Sequence, residues 1–373
     1  MSSSTTQKAG NYLTSMIIIG VLFFIFGFVT WLNGTLIPFL KLACELKTDT
    51  QAFFVTSAFY MAYFFLAIPS SGILQRTGFK NGMALGLLVM ALGSLIFIPA
   101  ANARNFALFL TGLFVQGAGL SLLQTASNPY ISIIGPIESA AQRISFMGIC
   151  NKIAGALSPL ILGAIVLKNA SKLEQDVLAA TSEVQKAALL DELAQRVIMP
   201  YTIMAIILVV LAVWIRRSAL PDVNMEADLE GDDKVATNKT SVFQFPHLLL
   251  GALCIFMYVG AEVMAGDVIG TYGKNLGFSL DQAKYFTSFT LISMLLGYII
   301  GIVAIPKYIT QESSLKYAAI LGVIFTIAAF LTKGQTSVTF IALLGLANAP
   351  MWPAIFPLGI NKLGKFTKIG SAL

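Results

Sequence analysis

"TSMIIIGVLFFIFGFVTWLNGTLIPFL", Thr14 to Leu40, runs for 27 residues without one charged side chain. As a helix it would be roughly 40 Å long at 1.5 Å per residue. That exceeds the hydrocarbon core of a bilayer, which takes about 20 apolar residues to cross. A secretory signal has an apolar centre of only about 7 to 15 residues. This run is too long and too punctuated by glycine for that, so it reads as a retained first transmembrane helix. Runs meeting the same test recur at Gln51 to Leu74, Gly82 to Ala101, Phe106 to Ile134, Ala140 to Leu167, Pro200 to Ile215, Pro246 to Tyr272, Ala283 to Ile305, Leu315 to Leu331 and Ser337 to Ile360. They make ten spans, and Gly370-Ser371-Ala372-Leu373 reads as the start of an eleventh.

Composition supports the same class. Of 373 residues, 57% are hydrophobic and 11% charged, against roughly 25% charged in a soluble domain. Too little polar material is present to cover a water-soluble enzyme of this size. The 31 glycines suit helices packed in lipid, where small residues let backbones approach. A net charge of +6 raises the question of nucleic acid, but the cations are spread over short connections between apolar runs, a pattern that orients a membrane protein. Cys44, Cys150 and Cys254 form no CxxC spacing, which leaves disulfide frameworks and zinc sites unsupported. His247, beside Pro246 at the edge of a span, reads as solvated. No HExxH, GxSxG or GxxxxGK[ST] motif occurs, so no hydrolytic, ATP-driven or metal mechanism and no cofactor is expected.

Two inserts organise the chain. Lys168 to Arg196 is charged but helical in period, and is expected to be an amphipathic excursion outside the membrane. Arg216 to Gln244, with Asp222, Glu226, Asp228, Glu230, Asp232 and Asp233, reads as a flexible linker. The domain reading is therefore a six-helix bundle over 1–215, a cytoplasmic linker over 216–244 and a second bundle over 245–373. With insert and linker set aside, the remaining loop cations are in modest excess on the side of the N-terminus, which places that terminus in the cytoplasm. "LLQTASNPYISIIG" and "LLGLANAPMWPAIFPLG" align at an offset of 224, putting Pro129 on Pro353, Gly135 on Gly359 and Gln124 on Asn348. Duplicated halves are a mark of transporters, and chance recurrence of Pro and Gly is the competing explanation.

A charge at the bilayer centre costs about 2.5 to 3.5 kcal/mol on insertion scales, so each one is a functional candidate. Three lie well inside spans: Lys152, Glu262 and Asp267. Lys152 requires a counter-ion, and either carboxylate can supply it. The pair is then either a structural link between the halves or part of ion coupling, with proton or sodium as the ion. Gln124 and Asn128, four apart, share one helical face. Asn33, Asn151 and Asn348 add amides, and Trp31, Tyr258 and Trp352 add aromatic faces. Amides bond sugar hydroxyls while rings cover the apolar face of a pyranose. The candidate substrate residues are thus Asn33, Gln124, Asn128, Asn151, Tyr258, Asn348 and Trp352, and the ion-coupling candidates Glu262, Asp267 and Lys152. Trp31 also reads as an interfacial anchor. Pro38, Pro129, Pro159, Pro350, Pro353 and Pro357 offer places to bend.

These residues resemble the fucose-proton symporter family of the major facilitator superfamily. The resemblance rests on "FGFVTWLNG" (Phe26 to Gly34), "SAFYMAYFFLAIPSSGIL" (Ser57 to Leu74), "LLQTASNPYISIIGPIES" (Leu122 to Ser139), "QRISFMGICNKIAG" (Gln142 to Gly155), "YVGAEVMAGD" (Tyr258 to Asp267) and "PAIFPLGINKLGKFTKIGSAL" (Pro353 to Leu373). It covers essentially the whole chain, and "WLNG", "LLQTA" and "GICNKIAG" are most similar to the glucose/galactose transporter branch. "GILQRTGFK" at Gly72 to Lys80 resembles the superfamily's cytoplasmic gate.

The resemblance implies an all-α integral membrane protein, a two-bundle transporter carrying glucose or galactose by ion-coupled symport and alternating access. Its partners would be sugar, a coupling cation and lipid, without nucleic acid; it would be a monomer in the inner membrane and not an enzyme. The fucose branch carries carboxylates where Gly34 and Gln124 stand here, which shifts coupling to Glu262 and Asp267; Asn151 matches a sugar-site asparagine. Family members have twelve helices, so this chain is expected to lack the last two and to be poorly stable alone. Fucose or another sugar, uncoupled facilitation, and a non-transporting sensor or scaffold remain alternatives.

Overall fold

The computed structural model describes residues 2–133, 140–218, 220, 239–305, 307–360 and 363. Among them, ten helical segments are long and apolar enough to cross a membrane. In chain order the helices are α1 (Ser2–Thr30), α2 (Asn33–Ala43), α3 (Asp49–Ala52), α4 (Phe54–Asn102), α5 (Phe106–Ile133), α6 (Ala140–Val166), α7 (Ala170–Ala179), α8 (Glu183–Gln195) and α9 (Ile198–Arg217). After the linker come α10 (Pro246–Asp267), α11 (Ile269–Asn275), α12 (Leu280–Ala283), α13 (Phe286–Ala304), α14 (Gln311–Leu331), α15 (Gly334–Asn348) and α16 (Met351–Ile360). Most of the linker, and the expected eleventh span, lie outside the described residues.

Helix α4 holds two of the expected spans. Gly78 breaks it with φ 74° and ψ 169°, a conformation that glycine adopts without a Cβ penalty. The chain folds back there, because a Cβ on Gly82 would meet the Leu74 side chain at 2.1 Å although the two are eight residues apart. The insert forms α7 and α8, amphipathic as expected: Ala170, Leu173 and Val177 are buried on one, and Leu190, Leu193 and Ala194 on the other. We call the side of the molecule bearing this insert the insert face, and the opposite side, where α9 runs into the linker, the linker face.

Three expected spans are interrupted well inside their length, and these interruptions place the polar residues. The first turns at Trp31 and Leu32 between α1 and α2, where hydrogen bonds shorten to three-residue spacing (Leu32 N to Val29 O, 3.4 Å; Thr35 N to Leu32 O, 3.0 Å). The seventh breaks at Val268 between α10 and α11, immediately after Asp267. The tenth breaks between α15 and α16 at Ala349 and Pro350, where proline has no N–H to donate to the helix ladder. Irregular backbone at membrane depth is tolerated only where protein or a cavity surrounds it.

Helices before the linker pack on one another, α1 on α6 and α4 on α5 and α9, while α13 packs on α15 and α10 on α16 beyond it. The principal contact between the two sets is α6 against α13, running antiparallel: Gly163 stands by Lys284, Ala156 by Ser288 and Gly148 by Tyr298. In lipid such contacts depend on close van der Waals approach rather than on the hydrophobic effect. Gly27 is the tightest case, since a Cβ there would lie 1.8 Å from the Asn151 carbonyl oxygen. Gly27→Ala is therefore expected to push α1 from α6 and destabilise the protein by about 1 to 3 kcal/mol, the range for overpacking. A lowered unfolding temperature in detergent would register it, and an unchanged one would remove this packing argument.

Candidate functional site

The site is built on α6. Asn151 and Lys152 sit midway along it, three and four residues beyond Gly148, about one turn, so the three lie on neighbouring positions of one side of the helix. Lys152 Nζ lies 2.5 Å from Glu262 Oε1, with both side chains about nine-tenths buried. Of the two carboxylates open to Lys152 from sequence, the structure selects Glu262, making the pair a bond between helices on either side of the linker. Lys152 Nζ also stands 4.6 Å from the centre of the Trp31 ring, in reach of a cation–π attraction. Trp31 is 2% exposed. Its ring is held between Gly155 and Gly266, where a Cβ would approach it to 2.5 and 2.2 Å. This corrects the reading of Trp31 as a membrane-interface anchor: the two glycines make a slot, and the ring fills it.

Below the pair, toward the linker face, is a cavity of about 210 Å³ lined by Gln124, Asn151, Lys152, Tyr258, Glu262 and Trp352 among others. Ligand sites for larger molecules run to roughly 300 to 1,000 Å³, so the space suits something small. The walls combine two amides, one ion pair and aromatic faces; Trp352 stacks on Phe356 at 5.5 Å between centroids and 14° between planes. Asn151 Nδ2 donates to the Phe23 carbonyl at 3.3 Å, which orients its amide. Tyr298 lines the cavity as well, and sequence reasoning passed over it. It lies inside an unbroken apolar helix, and the only signal was a hydroxyl-bearing ring among aliphatic residues.

Not every candidate arrives there. Asn33 and Asn348 are buried at 0% and 4% exposure without lining the cavity. The Asn128 side chain lies outside the described residues. Asp267 is fully buried and sits toward the insert face, accepting from Thr56 Oγ1 at 3.3 Å. Two groups of polar residues thus replace the single one the sequence suggested: a cavity group around Lys152 and Glu262, and a seam group around Asp267.

Further polar ties close the seam above. Ser288 Oγ donates to the Ala156 carbonyl at 2.8 Å, and Lys284 Nζ to the Leu167 carbonyl at 3.1 Å. Ser171 N donates to Asp281 Oδ2 and Asp281 N to Ser171 Oγ, both at 3.2 Å. Lys274 pairs with Glu174 at 2.5 Å. The two sets of helices are joined from mid-membrane to the insert face, and the cavity lies on the linker side of that joint.

A long chain of apolar helices in two packed sets, broken at mid-depth around an intersubstructure ion pair and a small polar cavity, is the architecture of a secondary transporter. Residues 19–372 match the Major Facilitator Superfamily model, and the chain belongs to that family. A glucose/galactose transporter of Brucella abortus is 33% identical over 99% of this chain and 85% of its own length. The L-fucose-proton symporter of Escherichia coli is 31% identical over 98% of this chain and 84% of its own. The crystal structure of the E. coli fucose:proton symporter superposes with a TM-score of 0.73, covering 97% of this chain and 88% of that one at 28% identity. A D-xylose-proton symporter at 14% identity has the same fold, with a TM-score of 0.64.

Proposed function

We propose that the protein is a hexose symporter working by alternating access, with glucose or galactose as substrate and a cation as driving ion. The observation that carries this reading is the cavity itself: amides from α5 and α6, a phenol from α10, an indole from α16 and an ion pair converge on one small space between the two helix sets. Amides and the ion pair give a sugar's hydroxyls both donors and acceptors, and the rings take its apolar face. Gln124 and Asn151 hold the sugar from one side, Tyr258 and Trp352 from the other. The bundles 1–215 and 245–373 rock about this site, and Glu262 or Asp267 takes the ion. With the linker face cytoplasmic, the present state is closed to the outside. The similarity to a glucose/galactose transporter supports the substrate class, and that to a fucose-proton symporter supports L-fucose as the second candidate.

Counterflow of radiolabelled glucose, galactose and fucose in proteoliposomes tests the reading. Exchange of glucose or galactose is expected, falling at least about tenfold in Gln124→Leu, since leaving sugar hydroxyls and buried amide partners unpaired costs more than 1.4 kcal/mol. Exchange of none of the three sugars would overturn the substrate assignment. Uptake that survives both a protonophore and removal of sodium would replace symport by facilitation.

A further inference from the structure

Asp267 has features the cavity does not explain. It is 0% exposed, its Oδ1 has no hydrogen-bond partner, and it belongs to no ion pair among the described residues. It is the last residue of α10, directly before the break at Val268. Facing it is the other break, that between α1 and α2. Thr56, from the first bundle, supplies its hydroxyl to Oδ2 at 3.3 Å, and the backbone N–H of Gly34, in the first turn of α2, is turned to the same carboxyl. The backbones are close here: a Cβ on Gly34 would meet Thr287 Oγ1 at 2.4 Å, and that hydroxyl donates to the Gly266 carbonyl. On the α2 side of this contact Asn33 Oδ1 and Nδ2 and Thr35 Oγ1 are likewise buried without partners. The closed seam therefore holds several polar atoms with no protein partner, and an opened, hydrated seam would satisfy them.

Two effects compete at Asp267. The N-terminus of α2 favours an ionised carboxylate by about 0.3 to 1 kcal/mol, up to roughly 2 in a partly buried geometry. Burying a carboxylate without a cation costs several kcal/mol. The second is larger, and the nearby titratable groups do not offset it: Glu262 is already paired with Lys152 and repels, and Tyr60 from α4, a phenol, brings no positive charge. The closed seam accommodates the acid form.

We infer that Asp267 is the proton carrier of this transporter and that its protonation is the condition for closing the insert face. A proton from solution on that face bonds to the carboxylate, the neutral acid is buried between Thr56 and Gly34, and the bundles meet. Loss of the proton leaves a charge that is hydrated only when the seam parts. Glu262, held by Lys152, is in this scheme part of the sugar site and not the carrier. The inference rests on the symport reading, and assigns its ion and its residue.

The test uses two readouts. In proteoliposomes, Asp267→Asn is expected to retain sugar counterflow while losing accumulation driven by a pH gradient. Asp267→Glu, which restores a carboxyl, is expected to recover accumulation in part. Accumulation by Asp267→Asn equal to the original protein would overturn the proposal. The second readout needs no sugar. Ser171→Cys, in a background with Cys44, Cys150 and Cys254 replaced by Ala, reports opening of the seam to a water-soluble maleimide. With one proton linked to closure, its labelling rate, divided at each pH by that of a cysteine exposed in both states so that the thiol's own ionisation cancels, is expected to rise by up to about tenfold per pH unit until saturation, and this normalised dependence is expected to vanish in Asp267→Asn. Normalised labelling indifferent to pH in the parent protein would overturn the proposal even if sugar transport is intact. Labelling that responds to pH while no sugar is carried would overturn only the substrate reading.

Discussion

Lys152→Met is expected to destabilise the protein by about 3 to 5 kcal/mol, the cost of breaking a buried ion pair from one side. Glu262 would then be buried among Trp31, Tyr258 and Tyr298 with no cation, and Glu262→Gln would strand Lys152 in the same way. Removing both charges together is a different perturbation. Lys152→Met combined with Glu262→Gln leaves no uncompensated charge, so it is expected to recover most of the loss. The double-mutant cycle should therefore return a coupling above about 3 kcal/mol, larger than the 0.5 to 3 kcal/mol usual for residues in direct contact. Unfolding in detergent gives the stability arm, and sugar binding by the double variant gives the functional one. Recovered stability with lost binding would place the pair in the sugar site. Additive losses in stability would mean that Lys152 and Glu262 are not coupled, contrary to their 2.5 Å contact.

How this pair could be foreseen illustrates what the sequence carries. Three charges in a chain of ten apolar spans are conspicuous because lipid penalises them, and a lysine between two carboxylates has few partners to choose from. Hydropathy likewise gives ten spans, as many as the described residues contain, and the helical period of 168–196 foretells the amphipathic pair α7 and α8. What stayed hidden is three-dimensional. The break after Asp267 involves no proline, so nothing local marks it, while Asp267 itself is carried about 7.5 Å beyond Glu262 by five residues of continuous helix. Asn33 and Asn348 have the chemistry for sugar, but helix geometry buries both away from the cavity lining in this state. The Trp31 slot depends on glycines at 155 and 266, in different bundles. Ties such as Glu174 to Lys274 join residues a hundred positions apart, with no periodicity to announce them.

Those distant ties lead to the second large expected effect, a complete and reversible loss of transport on cross-linking Ser171→Cys to Asp281→Cys. The seam at the insert face is held by interactions that are individually weak. Lys274 and Glu174 are about one-third exposed, and an exposed pair is worth about 0 to 1 kcal/mol; the reciprocal Ser171 and Asp281 bonds each add about 0.5 to 1.5 kcal/mol. Moving a two-state equilibrium from 1:99 to 99:1 takes about 5.5 kcal/mol. A handful of such ties lies near that scale, so the seam is closed firmly enough to block leakage yet can be parted by a proton and a substrate. A covalent bond removes that balance. The reciprocal hydrogen bonds place residues 171 and 281 close enough for a disulfide or a short bifunctional thiol reagent. Counterflow should then fall to background and return on reduction, while sugar binding from the linker side persists, because the cavity lies below the joint. Undiminished counterflow by the cross-linked protein would show that the insert face need not open. Lost counterflow with retained binding would mean that opening this seam is a step of the transport cycle.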